Sequence, residues 1–562
     1  MNIKNLILKY ALQNAIKFNG KASQGAIIGK VFSESPELKK KAKEISRQIQ
    51  KIVKEVNSLK IEEQVLKLEK LAPELLKKKK KQEKKELPEL KNTKKVIMRF
   101  EPSPSGALHI GHAYVLALNY AYCKKYKGKL ILRIGDTNPA NIYPDAYKLI
   151  EKDAKWLTKN AISKVVIQSD RLDIYYDYAE KLISMGKAYV CTCDPDSFRE
   201  LISKKTTCPC RNLSVKEHLQ RFDKMFGEYG EGDAVVRIKT DVAHKNPAMR
   251  DWPALRINEH EHPRTLNKYK VWPLMNFSVV VDDIELGVTH IIRAKDHADN
   301  AKRQEYIYNY LNKKIPQTIF VGRINFEDLK ISASEIRKLI EYGKYTGWDD
   351  IRLPFLPALR RRGYQPEAFI RYALDVGISL NDKTTNEKEF FKSLNSFNKN
   401  IIDKKSNRYF FIQEPKETII ENSPKQEIKI NLHPDFQKRG KRTFKTKDKF
   451  YITTEDYNEL EESKLYRLMD CLNFKKIKNK LVFHSLDYTE YKEKGKKIIH
   501  WLPKEKSVDV EVLMPDNAKV EGFGENSLLK LKQGDIVQFE RFGFVRLDKK
   551  DKNKLRFWFC HR

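Results

Sequence analysis

A chain of 562 residues, at roughly 150 residues per domain, is too long for one small module and long enough for several separate cores. Hydrophobic residues at 40% exclude global disorder, while 33% charged residues exceed the quarter usual in globular proteins. The excess of 110 Lys+Arg over 75 Asp+Glu leaves a formal charge of +35, a self-repelling surplus that calls for a polyanionic partner, nucleic acid before an anionic membrane. No run of about 18 uncharged apolar residues is present, and Lys4 and Lys9 interrupt the first apolar stretch, so a soluble cytoplasmic protein is expected, with no membrane association.

From Asn2 to about Lys95 the chain reads as basic helices: Leu6, Tyr10, Leu12 and Ile16 recur at helix spacing, as do Ile49, Ile52, Val53 and Val56. This helical appendage, residues 1–93, closes in the lysine run Lys77 to Lys81, Lys84 and Lys85, read as a solvated linker. A short apolar strand follows at 96–100, then a loop with Pro102, Pro104 and Gly106, then a helix over 110–126 with Gly128 as its stop. A second strand at 130–134 completes a βαβ unit of a parallel sheet, whose ligand crevice lies at the strand carboxyl ends. Residues 277–281 and 290–293 read as buried strands and 303–311 as a helix, so the segment from about 187 to 270 splits the sheet. Helical patterns at 353–359 and 366–374 come next. Beyond Arg408, short alternating segments at 409–412, 427–430, 508–513 and 536–542 predict a sandwich or barrels.

The most specific pattern is Arg99-Phe100-Glu101-Pro102-Ser103-Pro104-Ser105-Gly106-Ala107-Leu108-His109-Ile110-Gly111-His112. A chance His-Ile-Gly-His is expected on the order of once in a thousand such chains, and here it opens a helix after a strand, as a phosphate site requires. Gly111 would let a nucleotide approach the backbone, the helix N-terminus supplies free N–H groups, and His109 and His112 can donate to phosphate oxygens. Cys191-Thr192-Cys193 and Cys208-Pro209-Cys210 form two close pairs on turn-forming sequence, suited to a structural tetrahedral Zn²⁺ within 191–210 or, alternatively, to four reduced thiols. Arg541, Phe542, Phe544, Arg546, Arg556, Phe557 and Trp558 interleave cations with rings, a pattern for stacking single-stranded bases or simply for strand packing.

The stretch from Arg99 to Asp136, ending in Leu132-Arg133-Ile134-Gly135-Asp136-Thr137-Asn138-Pro139, closely resembles class I aminoacyl-tRNA synthetases of the glutamyl/glutaminyl group. The appendage and the ending, with His500-Trp501-Leu502-Pro503 and 537–544, are similar to the archaeal glutamyl branch. The resemblance covers essentially the whole chain. It implies a multidomain fold: an α/β Rossmann class I catalytic core at 94–345 with an acceptor-stem-binding insertion at 187–270, a helical connector at 346–407, and C-terminal antiparallel β-barrels at 408–562 that read the anticodon.

The same resemblance implies ligation of L-glutamate to tRNA(Glu), driven by ATP with Mg²⁺, and leaves open whether tRNA(Gln) is a further acceptor; a monomer is favoured. Lys330-Ile331-Ser332-Ala333-Ser334 stands where the family has its second signature. Lys330, with Arg337 or Lys338 one turn on, would clamp the triphosphate, since Ala333 replaces the second lysine. Arg293 matches the arginine for the substrate's side-chain carboxylate, with Arg99 assisting. A guanidinium forks a carboxylate but leaves a neutral amide mismatched, a preference of about a thousandfold. Asp296 would accept from the ATP ribose. Gly135 and Met275 replace an acidic residue and a tyrosine of the family pocket, so Glu101 or Asp136 takes over the α-ammonium, with Ser103 a further contact. Rival readings are a glutaminyl enzyme, an RNA-binding factor that has lost catalysis, and a smaller nucleotidyltransferase.

Overall fold

The computed structural model describes residues 3–17, 20–72, 75, 86–504, 507–552 and 554–562. The lysine run lies outside them. Contacts divide the chain into two compact units, Met1–Lys85 and Glu86–Arg562. The first is helical: α1 (Ile3–Lys17), α2 (Gln24–Glu34), α3 (Ala42–Asn57) and α4 (Ile61–Leu71). Ile45, Ile49, Ile52 and Val56 of α3 form one buried stripe against Leu6, Ala11 and Leu12 of α1. The buried Gln64 amide donates to the carbonyls of Gly20, Val56 and Leu59 and so ties three chain segments together.

The second unit opens with the βαβ element: β1 (Ile97–Phe100), α5 (Ile110–Lys125) and β2 (Lys129–Ile134). Helix α5 stops for a reason other than the expected one. Lys127 takes the left-handed conformation (φ 52°), and the Gly128 N–H caps the Cys123 carbonyl at 2.8 Å. A side chain at Gly128 would sit 2.6 Å from the Val96 carbonyl, so glycine is needed for close approach to β1 rather than for its φ.

After α6 (Ala146–Leu157), β3 (Ile162–Ile167) and α7 (Leu172–Ser184), the chain leaves for an antiparallel four-stranded sheet. It comprises β4 (Ala188–Cys191), β5 (Val235–Ile238), β6 (Pro253–Ile257) and β7 (Val271–Pro273), with α8 (Pro195–Ser203) and α9 (Val215–Met225) alongside. Its last strand falls just past residue 270. The chain returns through α10 (Met275–Glu285), β8 (His290–Ala294), α11 (Ala298–Tyr310) and β9 (Gln317–Val321). The five-stranded parallel sheet has the order β3-β2-β1-β8-β9.

Residues 277–281, expected as a strand, lie in helix α10. Every residue from Asn276 to Asp283 is buried, so the apolar pattern has no polar side from which a helical period could be read. Beyond α12 (Ala333–Glu341), the helices α13 (Leu356–Arg362), α14 (Pro366–Val376) and α15 (Glu387–Ile402) form the connector, packed on α5 and the parallel sheet through Leu356, Phe369 and Phe390.

Two seven-stranded sheets complete the unit. One is built from the strands at 507–513, 519–525, 536–539, 543–550 and 554–561, together with 408–409 and 411–413. The other is built wholly from 415–503, so it is inserted within the first. Antiparallel pairing dominates, with parallel pairs where the chain crosses over, as between Ser507–Leu513 and Lys554–His561.

Candidate active site

The strand order reverses between β1 and β8, and a cleft of about 570 Å³ opens at the strand carboxyl ends there. Of the residues expected at the site, Arg99, Glu101, Ser103, His112 and Arg293 line it together, with Gly135 and Met275.

At its edge α5 begins. His109 is the N-cap, and its Nδ1 accepts the Gly111 N–H at 3.1 Å, while the His112 Nδ1 accepts the His109 N–H at 3.4 Å. The rings stack with centroids 3.8 Å apart. With both Nδ1 atoms accepting, each neutral imidazole carries its proton on Nε2, a donor for an anion. Burial and the neighbouring His112 hold His109 well below the ordinary histidine range, and burial lowers His112 to about 4, so both are neutral at pH 7. Capping and anion donation therefore coexist in the same two rings. A side-chain carbon at Gly111 would meet the His109 ring at 2.9 Å and the Ile331 methyl at 3.8 Å, which sets the 330–334 segment beside the start of α5.

Other expected residues lie away from the cleft wall. Lys330 and Ser332 are exposed, the latter as the N-cap of α12, and Arg337 pairs with Glu341 at 3.7 Å. Asp296 is exposed and ion-paired with Arg323. Asp136 is fully buried; its carboxylate accepts from the Tyr147 hydroxyl and the Ser169 N–H, both at 2.8 Å, and lies 3.4 Å from His262. Those partners leave it no free face toward a substrate.

Beneath the cleft is a charged cluster that the sequence reading missed. Arg133, fully buried on β2, contacts Glu101 at 2.6 Å and Asp283 at 2.8 Å, and Arg99 lies 3.3 Å from Asp283. Asp282 accepts from Arg171 at 2.7 Å, Tyr175 at 2.8 Å and Gln168 at 2.9 Å. The guanidiniums of Arg133 and Arg99 overcome the cost of burial and hold Asp283 below the usual carboxylate range. Two consecutive acids closing an apolar run, Val279 to Val281, were the available signal.

Arg293 stands apart from this pairing. Only 8% exposed, it donates Nη1 to the Gln304 amide oxygen at 2.9 Å, and its Nε has no hydrogen-bond partner. Burial, then repulsion from Arg99, lowers its pKa to about 10, so it stays charged at neutral pH. It is a desolvated guanidinium facing a cleft, with no carboxylate of the described residues in ion-pair distance.

In the insertion, the four sulfurs of Cys191, Cys193, Cys208 and Cys210 lie within 4.8 Å of one another, with Cys208 Sγ at 3.5 Å from Cys191 and 3.3 Å from Cys193, and Cys193 Sγ at 3.7 Å from Cys210. Four thiolates at about 2.3 Å from a zinc ion stand roughly 3.8 Å apart, so this set fits a tetrahedral metal. The Cys208 thiol beside it lowers Cys191 to about 5, and the Arg221 guanidinium donates to the Cys210 sulfur at 3.3 Å. In the C-terminal sheets, Phe544, Phe557 and Trp558 are buried, so of their two readings strand packing holds and base stacking does not. Exposed rings lie elsewhere, at Phe436 beside Arg439 and Tyr488 beside Arg467.

Residues 95–404 match the family model of the class I tRNA synthetase (E and Q) catalytic domain, and 406–488 and 498–548 match two models of its anti-codon binding domain. The chain belongs to this family. It is 46% identical over 560 residues to a glutamate–tRNA ligase of Methanocaldococcus jannaschii, covering 99% of both chains. It is likewise 46% identical to glutamate–tRNA ligases of Pyrococcus furiosus and Thermococcus kodakarensis, over 580 and 576 residues and the whole of each chain. Class I synthetases of this group use ATP and Mg²⁺. Among the described residues, no helix is long and apolar enough to cross a membrane.

Proposed function

We propose that this chain attaches L-glutamate to the 3′ end of tRNA(Glu) through a glutamyl-adenylate, as a cytoplasmic enzyme. The observation that carries the reading is Arg293, a buried guanidinium turned to the cleft without a carboxylate partner. Glutamate's side-chain carboxylate would supply the two charged hydrogen bonds it lacks, whereas glutamine's amide would leave the charge unanswered. The 46% identity to three proteins named glutamate–tRNA ligase supports the same substrate over glutamine.

In the first step the α-carboxylate attacks the ATP α-phosphorus in line and pyrophosphate departs. In the second, a hydroxyl of the terminal adenosine attacks the mixed anhydride and releases AMP. The chain supplies position and electrostatics rather than a covalent nucleophile. The Nε2–H groups of His109 and His112 and the free N–H groups of α5 meet the phosphates, and Lys330, on the segment beside α5, adds a mobile cation. Asp296, just before α11 and ion-paired with Arg323 in this structure, is assigned to the ribose, which would take that partner's place, and Ser103 is a further contact of the α-ammonium. Mg²⁺ enters as the counterion of ATP. Zn²⁺ held by Cys191, Cys193, Cys208 and Cys210 would cross-link β4 to the turn at 209–212. The insertion is assigned to the acceptor stem and residues 408–562 to the anticodon.

The test is charging of purified tRNA(Glu) and tRNA(Gln) with glutamate and glutamine, with Arg293→Cys alongside. Glutamate on tRNA(Glu), no glutaminyl product and a loss of about a thousandfold in the variant are expected. Glutaminyl product, or no turnover with either amino acid, rejects the reading. The tRNA(Gln) arm measures whether that acceptor is also glutamylated.

A further inference from the structure

An amino acid brings a cation as well as carboxylates, and the cleft wall must answer it. Among the described lining residues stand three guanidiniums, Arg99, Arg256 and Arg293, and a single carboxylate, Glu101. Glu101 gives one oxygen, Oε2, to Arg133 at 2.6 Å; its other oxygen, Oε1, makes no hydrogen bond to the described residues. Oε1 lies beside Gly135. A side-chain carbon built there would lie 3.8 Å from it and 3.4 Å from the amide oxygen of Gln168.

The Gln168 amide is fixed with its nitrogen donating to the buried Asp282 carboxylate at 2.9 Å, so its oxygen is the end left toward this space. Gly135 does not adopt a left-handed conformation, and its N–H donates to the Pro102 carbonyl at 3.1 Å, which holds the glycine against the Glu101 segment. The missing side chain at 135 thus leaves an opening bounded by two acceptors, one of them anionic.

We propose that Glu101 Oε1 and Gln168 Oε1, across the opening at Gly135, form the subsite for the substrate's α-ammonium. The assignment rests on the glutamate reading given above and selects Glu101 over Asp136, whose carboxylate is consumed by Tyr147, Ser169 and His262. It also gives Glu101 two tasks: Oε2 braces Arg133, and Oε1 orients the amino acid so that its carboxylate faces the ATP. Selection at the two ends of the substrate is then divided between Arg293, which requires an acid, and Glu101, which requires an amine.

The test uses two matched, unreactive mimics of the adenylate, glutamyl-sulfamoyl adenosine and its glutaryl counterpart, which differ only in the ammonium. The wild-type chain should bind the first at least about tenfold tighter, the worth of one charged hydrogen bond. Glu101→Gln should bring the ratio of dissociation constants close to one through weaker binding of the amine, with the glutaryl mimic little changed. Gly135→Lys leaves the Glu101–Arg133 pair in place and sets a competing ammonium within reach of Oε1; it should do the same and so covers a fold-disturbing effect of the first change. Equal weakening of both mimics, or an unchanged ratio in both variants, overturns the proposal. If the wild-type chain binds neither mimic and charges no glutamate, the functional reading fails instead.

Discussion

In the C-terminal region, Arg442 sits 2.6 Å from Glu525 with both side chains 2% exposed, and Arg541 grips Asp456 through hydrogen bonds of 2.8 and 2.9 Å. In the cleft, Arg293 is almost as deeply buried yet meets only a neutral amide, while its neighbours Arg99 and Arg133 are matched to acids. Both regions pay for desolvating a guanidinium, and only the first closes the charge internally. A buried pair is weak evidence of stability, because its attraction does little more than offset desolvation. A buried cation left open on a cleft is better evidence of a ligand.

The sharpest way to break this contrast is to remove each arginine. Arg293→Ala should lower kcat/KM for glutamate by about a thousandfold or more while leaving the melting temperature within a few degrees of wild type, since losing its hydrogen bond to Gln304 is offset by relief of its desolvation cost. Arg442→Ala should do the reverse, costing about 3–5 kcal/mol by stranding Glu525, read as an early thermal transition. If Arg293→Ala destabilises as strongly as Arg442→Ala, the cleft guanidinium is structural and the distinction collapses.

A smaller effect tests the other side of the cleft. His112→Ala should slow pyrophosphate exchange, assayed with tRNA present, by about a hundredfold through loss of a phosphate donor; unchanged exchange would reject His112 as a transition-state contact. Next comes the insertion. Prolonged chelation, or Cys208→Ser, should release one zinc per chain by metal analysis and lower the melting temperature by several degrees, while a chain that retains full stability without metal would show the thiols to be self-sufficient.

A separate effect, read from pH rather than from a variant, is acid sensitivity shared by both regions. Burial lowers His112 in the cleft, and His500 and His561 in the C-terminal sheets, each to about 4. Between the ordinary histidine value near 6.5 and about 4, the unfolded chain binds protons that the folded one refuses, so stability should fall as pH drops through that window and be fully present above it. A melting temperature flat from pH 7 to pH 4.5 contradicts these burials.

What could be read without coordinates was whatever has a local signature. The His109–His112 pattern after a strand located the cleft because backbone geometry and phosphate chemistry demand it within a few residues, and the cysteine pairs were legible because metal ligands cluster along the chain. The brace of Arg133 by Glu101 and Asp283 was not, since Asp283 stands 150 residues beyond Arg133 in the chain. Helix α10 reads as a strand in sequence because burial on all sides erases period. Asp136 sits next to Gly135 in sequence, and only the fold reveals that His262, from the insertion, has claimed its surroundings. Phe544 and Phe557 alternate with arginines in a pattern that suits base stacking and strand packing alike, and only the fold shows that they point inward.

The nesting of one C-terminal sheet inside the other has a consequence for biosynthesis. Arg408–Tyr409 pairs with Ile536–Phe539, and Arg362 of the connector donates to the carbonyls of Phe559 and Cys560. The inner sheet, complete by residue 503, can close while the ribosome is still translating. The outer one waits for the strand at 554–561, so a stop within that strand should leave the connector unlatched even though the nucleotide-binding half is already made.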